Sequence, residues 1–282
     1  MNHILRGLLL PIIYLFAIHS PAAGASRCEC FPTERLPADL RAKSEAMLLK
    51  ALDSEALYTI VGGLKPMSSG FASFKFSVEK PDLTQIEETR HLLSVWRRGD
   101  KLYADVRHFA AIYDDENTKE KIRFAEAFVL NRPALANKIG QYSDFFAPYG
   151  ITPSAHPMEV LMTIEHSQPS HRWRGLGYLF GFPPYAVDFF VAAGEEEQRT
   201  GKFVERDFYS IPTFVAAERH FVWAVPIGHE ERKEDCTIKS RAELILAEYQ
   251  KRRSRDIGPG KRGVVKMLRD WLGNCNDRLT GD

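Results

Sequence analysis

The chain has 282 residues, with 38 Lys and Arg against 37 Asp and Glu and a formal net charge of +1. A balance this even excludes polyanion binding driven by net charge, and leaves any such role to a local patch. Hydrophobic residues make up 44% and charged residues 27%. That composition belongs to a folded globular chain and excludes a low-complexity or disordered one.

The first segment carries a compartment signal. Arg6 is followed by an apolar stretch from Leu8 to Ile18, interrupted only by Pro11, and then by Ala22-Ala23-Gly24-Ala25. Ala23 and Ala25 occupy the −3 and −1 positions of a cut after Ala25, the pattern of a secretory signal peptide. The stretch falls short of the roughly 20 apolar residues of a membrane-spanning helix. Residues 1–25 are therefore read as a signal peptide. Residues 26–282 are read as a soluble protein, secreted or periplasmic and not membrane-spanning. Arg27 stands before Cys28 where an acylated cysteine would follow a small residue, which argues against lipidation.

An even cysteine count in an exported chain predicts disulfides. Cys28 and Cys30 would close a strained ring with each other, so each is expected to pair with Cys236 or Cys275. Either pairing ties the mature N-terminus to the C-terminal third.

Taken in order, Leu36–Leu52 predicts an amphipathic helix and Ala56–Val61 a strand or a helix stub. Gly62-Gly63 and Pro66 to Gly70 make a loop, and Phe71–Glu79 alternates as a half-buried strand. Thr89–Trp96 and Lys101–Phe109, flanking Gly99-Asp100, read as a hairpin, with a helix from Asp82 to Trp96 as the alternative. From Asp115 onward the pattern turns helical, with Ile122, Phe124, Ala125, Phe128 and Val129 as its buried stripe. Pro133 opens a further helix. Helices are expected over Pro157–His166 and Ser170–Phe180, and from Pro183-Pro184 to Gln198. Lys202–Phe214 and His220–Pro226 form a second hairpin. Ser240–Arg253 and Val264–Leu272 are the last helices. Strands cluster around a helical middle and do not alternate with helices. The fold class is therefore α+β, with a strand-rich N-terminal part, a helical middle and a C-terminal hairpin and helices, stapled by disulfides. A single domain is expected, with a soft internal boundary near residue 114.

No nucleophile elbow, phosphate-binding loop, dinucleotide fingerprint, zinc-protease motif or paired Cys-x-x-Cys is present. Gly175-x-Gly177 lies inside an apparent helix, where packing accounts for it. The string Gly177-Tyr-Leu-Phe-Gly-Phe-Pro-Pro184 looks like a specific structural or binding motif. Phe180, Phe182, Val187, Phe189 and Phe190 around it are expected in the core, with Phe190→Ala costing roughly 3 to 5 kcal/mol.

Three clusters carry chemistry by residue type. His156, Glu159, Glu165, His166 and His171 surround one helix, and Glu159, Met162 and His166 share a face of it. Imidazoles with carboxylates suit a divalent ion such as zinc, through His156, Glu159, His166 and His171. Without metal, the five suit general acid–base catalysis. The plainer reading is a polar surface helix with one capping histidine. Arg172, Trp173, Arg174, Tyr178, Tyr185 and Asp188 combine arginines with aromatics in a way that suits a carboxylate, phosphate or sugar ligand. Asp188, between Val187 and Phe189, reads as buried, and the plainer role is an Arg172 or Arg174 pair holding two helices together. Asp207, Ser210 and His220 contain triad chemistry by type alone, and His229 has no evident partner. The basic run Lys251, Arg252, Arg253 and Arg255, with Lys261 and Arg262, is read as a solvated helix end. Its alternative is a surface for an anionic envelope component, not nucleic acid.

These observations favour an exported binding or interaction protein of the cell envelope or extracellular space. The alternative is an exported hydrolase using the His/Glu cluster, with or without metal.

Overall fold

The computed structural model describes residues 29–217 and 220–275. The expected signal peptide and Cys28 lie outside the described residues. No helix among the described residues is long and apolar enough to cross a membrane.

The fold is α+β. A three-stranded antiparallel sheet holds β1 (Met67–Ser77), β2 (Leu102–Asp114) and β3 (Lys121–Asn131), with β3 in the centre. Met67 pairs with Leu130, and Leu102 with Asn131. β2 ends at Asp114, which pairs with Lys121, so strand pairing runs straight across residue 114. The N-terminal side of the sheet is built from α1 (Ala38–Asp53), α2 (Ala56–Ile60) and α3 (Thr84–Leu93). On the other side stand α4 (Arg132–Gln141), α5 (Ser143–Phe146), α6 (Pro157–Glu165), α7 (Pro169–Leu179) and α8 (Pro184–Thr200). The hairpin of β4 (Asp207–Ile211) and β5 (Phe221–Val225) follows, then α9 (Lys233–Asp256) and α10 (Val264–Trp271).

β3 divides the interior. Ala125, Ala127 and Val129 face one core with Leu48, Leu52, Trp96 and Val106. Phe128 and Leu130 face the other, with Ile139, Leu161, Ile164 and Leu179. From residue 127 to 131 the strand is buried on both faces and loses the apolar–polar alternation of a half-exposed one. That is why a helix was expected from Asp115 onward and a strand is found. Phe124, expected in the buried stripe, is 37% exposed. The segment before β2 is also corrected. Ile86, Thr89, Leu92 and Leu93 are buried at helical spacing, and Asp82 accepts from the Thr84 amide at 3.0 Å, so α3 forms in place of a hairpin arm. Ala56–Ile60 is helical, with all five residues buried.

The two ends of the described chain are joined by a disulfide between Cys30 and Cys275. Arg269 on α10 adds to this junction, donating to the carbonyls of Cys30 and Phe31 at 2.8 and 2.9 Å. The expectation that Cys236 also bridges is corrected. Cys236 is an exposed free thiol in the first turn of α9, facing Glu231. The return of the chain through α10 presents Cys275, not Cys236, to Cys30.

Candidate functional site: an apolar pocket between two helices and a hairpin

Pro183-Pro184 sets this region. Gly181 ends α7 with a φ of +77°, a conformation that a side chain strains. Pro183 then caps α8 and Pro184 is its first residue, where a missing amide proton costs nothing. Two glycines bring α7 close to its neighbours. A Cβ on Gly175 would lie 2.6 Å from Ile164, and one on Gly177 would lie 2.8 Å from Val187. A Cβ at Gly194 of α8 would overlap the Trp173 ring.

Between α7, α8 and the β4–β5 hairpin these contacts leave an open pocket of about 320 Å³. Trp173, Leu176, Gly177 and Phe180 line it from α7 and its end, and Ala186, Val187 and Phe190 from α8. Phe208, Val222 and Ala224 face it from one side of the hairpin, with Phe182 and Trp223 completing the wall. None of the twelve lining residues carries an ionisable side chain. The Trp223 indole N–H is already used, donating to the Tyr185 hydroxyl at 3.3 Å. The core expectation holds for Val187 and fails for Phe190. Phe180, Phe182 and Phe189 are half-buried, while Phe190 is 38% and Phe208 64% exposed at this pocket. Arg206 stacks on Phe190 and Phe203 and is paired with Glu197.

The remaining residues of the Arg/aromatic cluster separate. Arg174 pairs with Asp188 and donates to Tyr178 at 3.4 Å, joining α7 to α8. Asp188 is exposed, not buried, because it sits on the outer face of α8. Tyr178 stacks on Tyr142 with ring centroids 3.9 Å apart, and Arg172 is half-buried on α7. Of the six, only Trp173 reaches the pocket wall.

The His/Glu cluster is not assembled. Among the described residues, no group of three or more His, Cys, Asp or Glu is placed to hold a metal ion. Glu165 is buried and turned to the sheet, accepting from Arg107 at 2.9 Å and from the Ala110 amide at 3.1 Å. His156 caps α6 through Nδ1 and lies edge-on to Tyr103. It lines a separate polar cleft of about 790 Å³ with Glu29, Arg97, Asp100 and Arg132. Glu159 and His166 are exposed. His171 meets the rings of Phe145 and Tyr149. The shared helical face exists, but Glu165 belongs to the opposite, buried one, and the sheet takes it. Asp207, of the residues with triad chemistry, accepts from the Gly228 amide at 3.0 Å.

Three buried polar arrangements had no signature in the sequence. His229 is not without a partner: its Nε2 lies 2.9 Å from Asp235 and 3.1 Å from the Tyr185 hydroxyl. Burial and the Asp235 carboxylate hold that phenol above its usual range. Arg107 lies between Glu165 and Glu126. Lys65 is fully buried against Glu55, with its ammonium 4.3 Å from the centre of the Phe221 ring. Burial lowers its pKa, and Glu55 opposes that.

The basic run is largely neutralised by the protein's own carboxylates. Arg253 grips Asp53 at 2.7 and 2.9 Å, and Arg252 pairs with Glu248 at 2.6 Å. Arg255 pairs with Asp256, Arg262 with Asp270, and Lys261 donates to the Ser254 carbonyl. Arg253 thus ties α9 to α1, and Arg262, which also meets Asp256 at 3.6 Å, links the end of α9 to α10.

The chain matches no protein-family model, no curated protein and no solved structure.

Proposed function

We propose that this is an exported binding protein of the cell envelope or extracellular space, and that its ligand occupies the apolar pocket between α7, α8 and the β4–β5 hairpin. The observation that carries the reading is the pocket itself. Aromatic side chains wall it, and Phe190 and Phe208 stay open to solvent at it. Small-molecule sites have volumes of about 300 to 1,000 Å³ and mainly apolar walls. The wall chemistry selects an uncharged apolar body, such as an aromatic ring system or a single acyl chain. The export part rests on residues 1–25. A hydrolase using His156, Glu159, Glu165, His166 and His171 gains no support from their placement.

The test is titration of the purified protein with N-phenyl-1-naphthylamine, a neutral apolar dye whose emission rises on leaving water. Saturable enhancement is expected in the wild type. It should be lost in Val222→Trp, which fills the pocket from a half-exposed strand position, with the melting temperature retained. Equal enhancement in the two proteins overturns the reading. Intact mass of the full-length chain expressed with its leader tests export, since cleavage after Ala25 leaves Ser26 as the first residue.

A further inference from the structure

Phe182 also lines a second groove, on the α4 and α9 side of the α7–α8 turn, with a volume of about 440 Å³. Its walls differ in kind from those of the apolar pocket. Lys138 enters from α4, and Lys233 and Arg241 enter from α9. Positions 233, 237 and 241 repeat at four-residue spacing and so share one face of that helix. Among the described residues, none of these three cations forms an ion pair. Elsewhere on α9, Lys239 is paired with Glu231, Arg252 with Glu248 and Arg253 with Asp53. Glu234 is the one carboxylate in the groove wall, against three cations.

Lys138 is the informative member. It is half-buried, with its ammonium 5.4 Å from the centre of the Tyr142 ring, and burial pulls its pKa below the usual lysine value. A cation partly withdrawn from water and without an ion-pair partner is less well stabilised than a free one, and an incoming anion offsets that. Phe182, Pro183 and Ile238 supply an apolar platform beside it, and Gln141 and Thr237 supply neutral hydrogen-bonding groups.

We infer that this groove binds a small organic anion, a phosphate or carboxylate attached to a ring or other compact apolar body. The anionic group sits among Lys138, Lys233 and Arg241, and the apolar body rests on the Phe182–Pro184 turn. The inference is independent of the apolar pocket and of export.

Isothermal titration calorimetry at low ionic strength tests it with four probes: phenyl phosphate, benzoate, inorganic phosphate and benzyl alcohol. Phenyl phosphate or benzoate is expected to bind one saturable site with a Kd below about 1 mM. The tighter of the two names the anionic group. Inorganic phosphate should bind more weakly, for want of the platform, and benzyl alcohol should not bind. Added salt should weaken binding, since the groove is open to solvent. Lys138→Met and Arg241→Met should each raise the Kd at least fivefold, while Lys80→Met leaves it unchanged. Arg241 is exposed, so its variant keeps the test valid if Lys138→Met fails to fold. The inference is overturned if neither aromatic anion saturates the wild type, or if the Arg241→Met protein binds as the wild type does. Inorganic phosphate binding as tightly as phenyl phosphate overturns the platform. Retained dye binding in Arg241→Met separates this result from the fate of the apolar pocket.

Discussion

The hydroxyl of Tyr185 donates to Oδ1 of Asp235 at 2.5 Å, joining the first turn of α8 to the first turn of α9. Asp235 has no exposure to solvent. Its other oxygen accepts from the Arg232 amide at 2.9 Å, which caps α9, and meets His229 at 2.9 Å. Asp235→Ala strands several buried donors at once. A buried donor left without a partner costs about 1 to 3 kcal/mol. Urea unfolding should show a loss of about 3 kcal/mol for Asp235→Ala. His229→Gln, which keeps a donor near the carboxylate, should cost about 1 kcal/mol. A loss below about 1 kcal/mol in Asp235→Ala would mean that the network is not a structural joint.

Arg107 and Glu165 form a buried ion pair, each with side-chain exposure below 5%. Removing one member of such a pair typically costs about 3 to 5 kcal/mol, because the other charge is left unpaired out of water. Glu165→Ala should fall in that range. Arg107→Met with Glu165→Met should be less costly than either single change. Glu159→Ala and His166→Ala, at exposed positions, should each stay within about 0.5 kcal/mol. If all four residues instead gave similar small losses, the division of α6 into a buried anchor and a solvent face would be wrong.

The sequence made the helical half of the fold legible. Pro157 and Pro184 sit at helix starts, and the stripes of α9 and α10 are built on local spacing. β3 was not legible, because the feature that marks a strand, one wet face, is absent where both faces are covered. α3 was ambiguous for a related reason: its buried residues are few and lie beside Gly99-Asp100, a genuine turn signal. For the candidate site, the Gly177–Pro184 string lies in the segment that lines the pocket, through Gly177, Phe180 and Phe182. One third of the lining, Phe208, Val222, Trp223 and Ala224, comes from the hairpin, which only the fold brings there. The same holds for Tyr185, His229 and Asp235, whose spacing in the chain forms no pattern. The His/Glu cluster failed because one helix presents its residues to opposite sides, and sequence proximity does not separate them.

The disulfide between Cys30 and Cys275 spans 245 residues. On the chain-entropy account, a loop of about 100 residues already contributes roughly 4.7 kcal/mol, and the value grows slowly with length. Reduction should therefore lower the melting temperature by many degrees. Cys30→Ser and Cys275→Ser should reproduce that loss, and Cys236→Ser should not. Alkylation of the unreduced native protein should label Cys236 and leave Cys30 and Cys275 unlabelled. Labelling of Cys275 without reductant would overturn the pairing.

The turn between β2 and β3 carries the clearest pH dependence. Asp115 accepts from the Lys75 ammonium at 2.5 Å and from the amides of Thr118 and Asn117 at 2.9 and 3.0 Å. These partners, Lys75 first, hold its carboxyl well below the usual carboxylate range. All of them favour the ionised form, so the native state holds a proton on Asp115 less readily than the unfolded chain does. The stabilisation is then complete above the unfolded value of about 3.9 and is lost as the pH falls through the depressed native one. Asp115→Asn keeps an acceptor for the two amides and removes the charge that Lys75 meets. Urea midpoints for the two proteins should differ at pH 7 and draw together progressively as the pH falls below about 3.9 toward the depressed native value. In the wild type, the Asp115 carboxyl should titrate by NMR well below the exposed Asp82. A difference between the two proteins that stays constant from pH 7 to pH 2 would falsify the charge-based account of this turn.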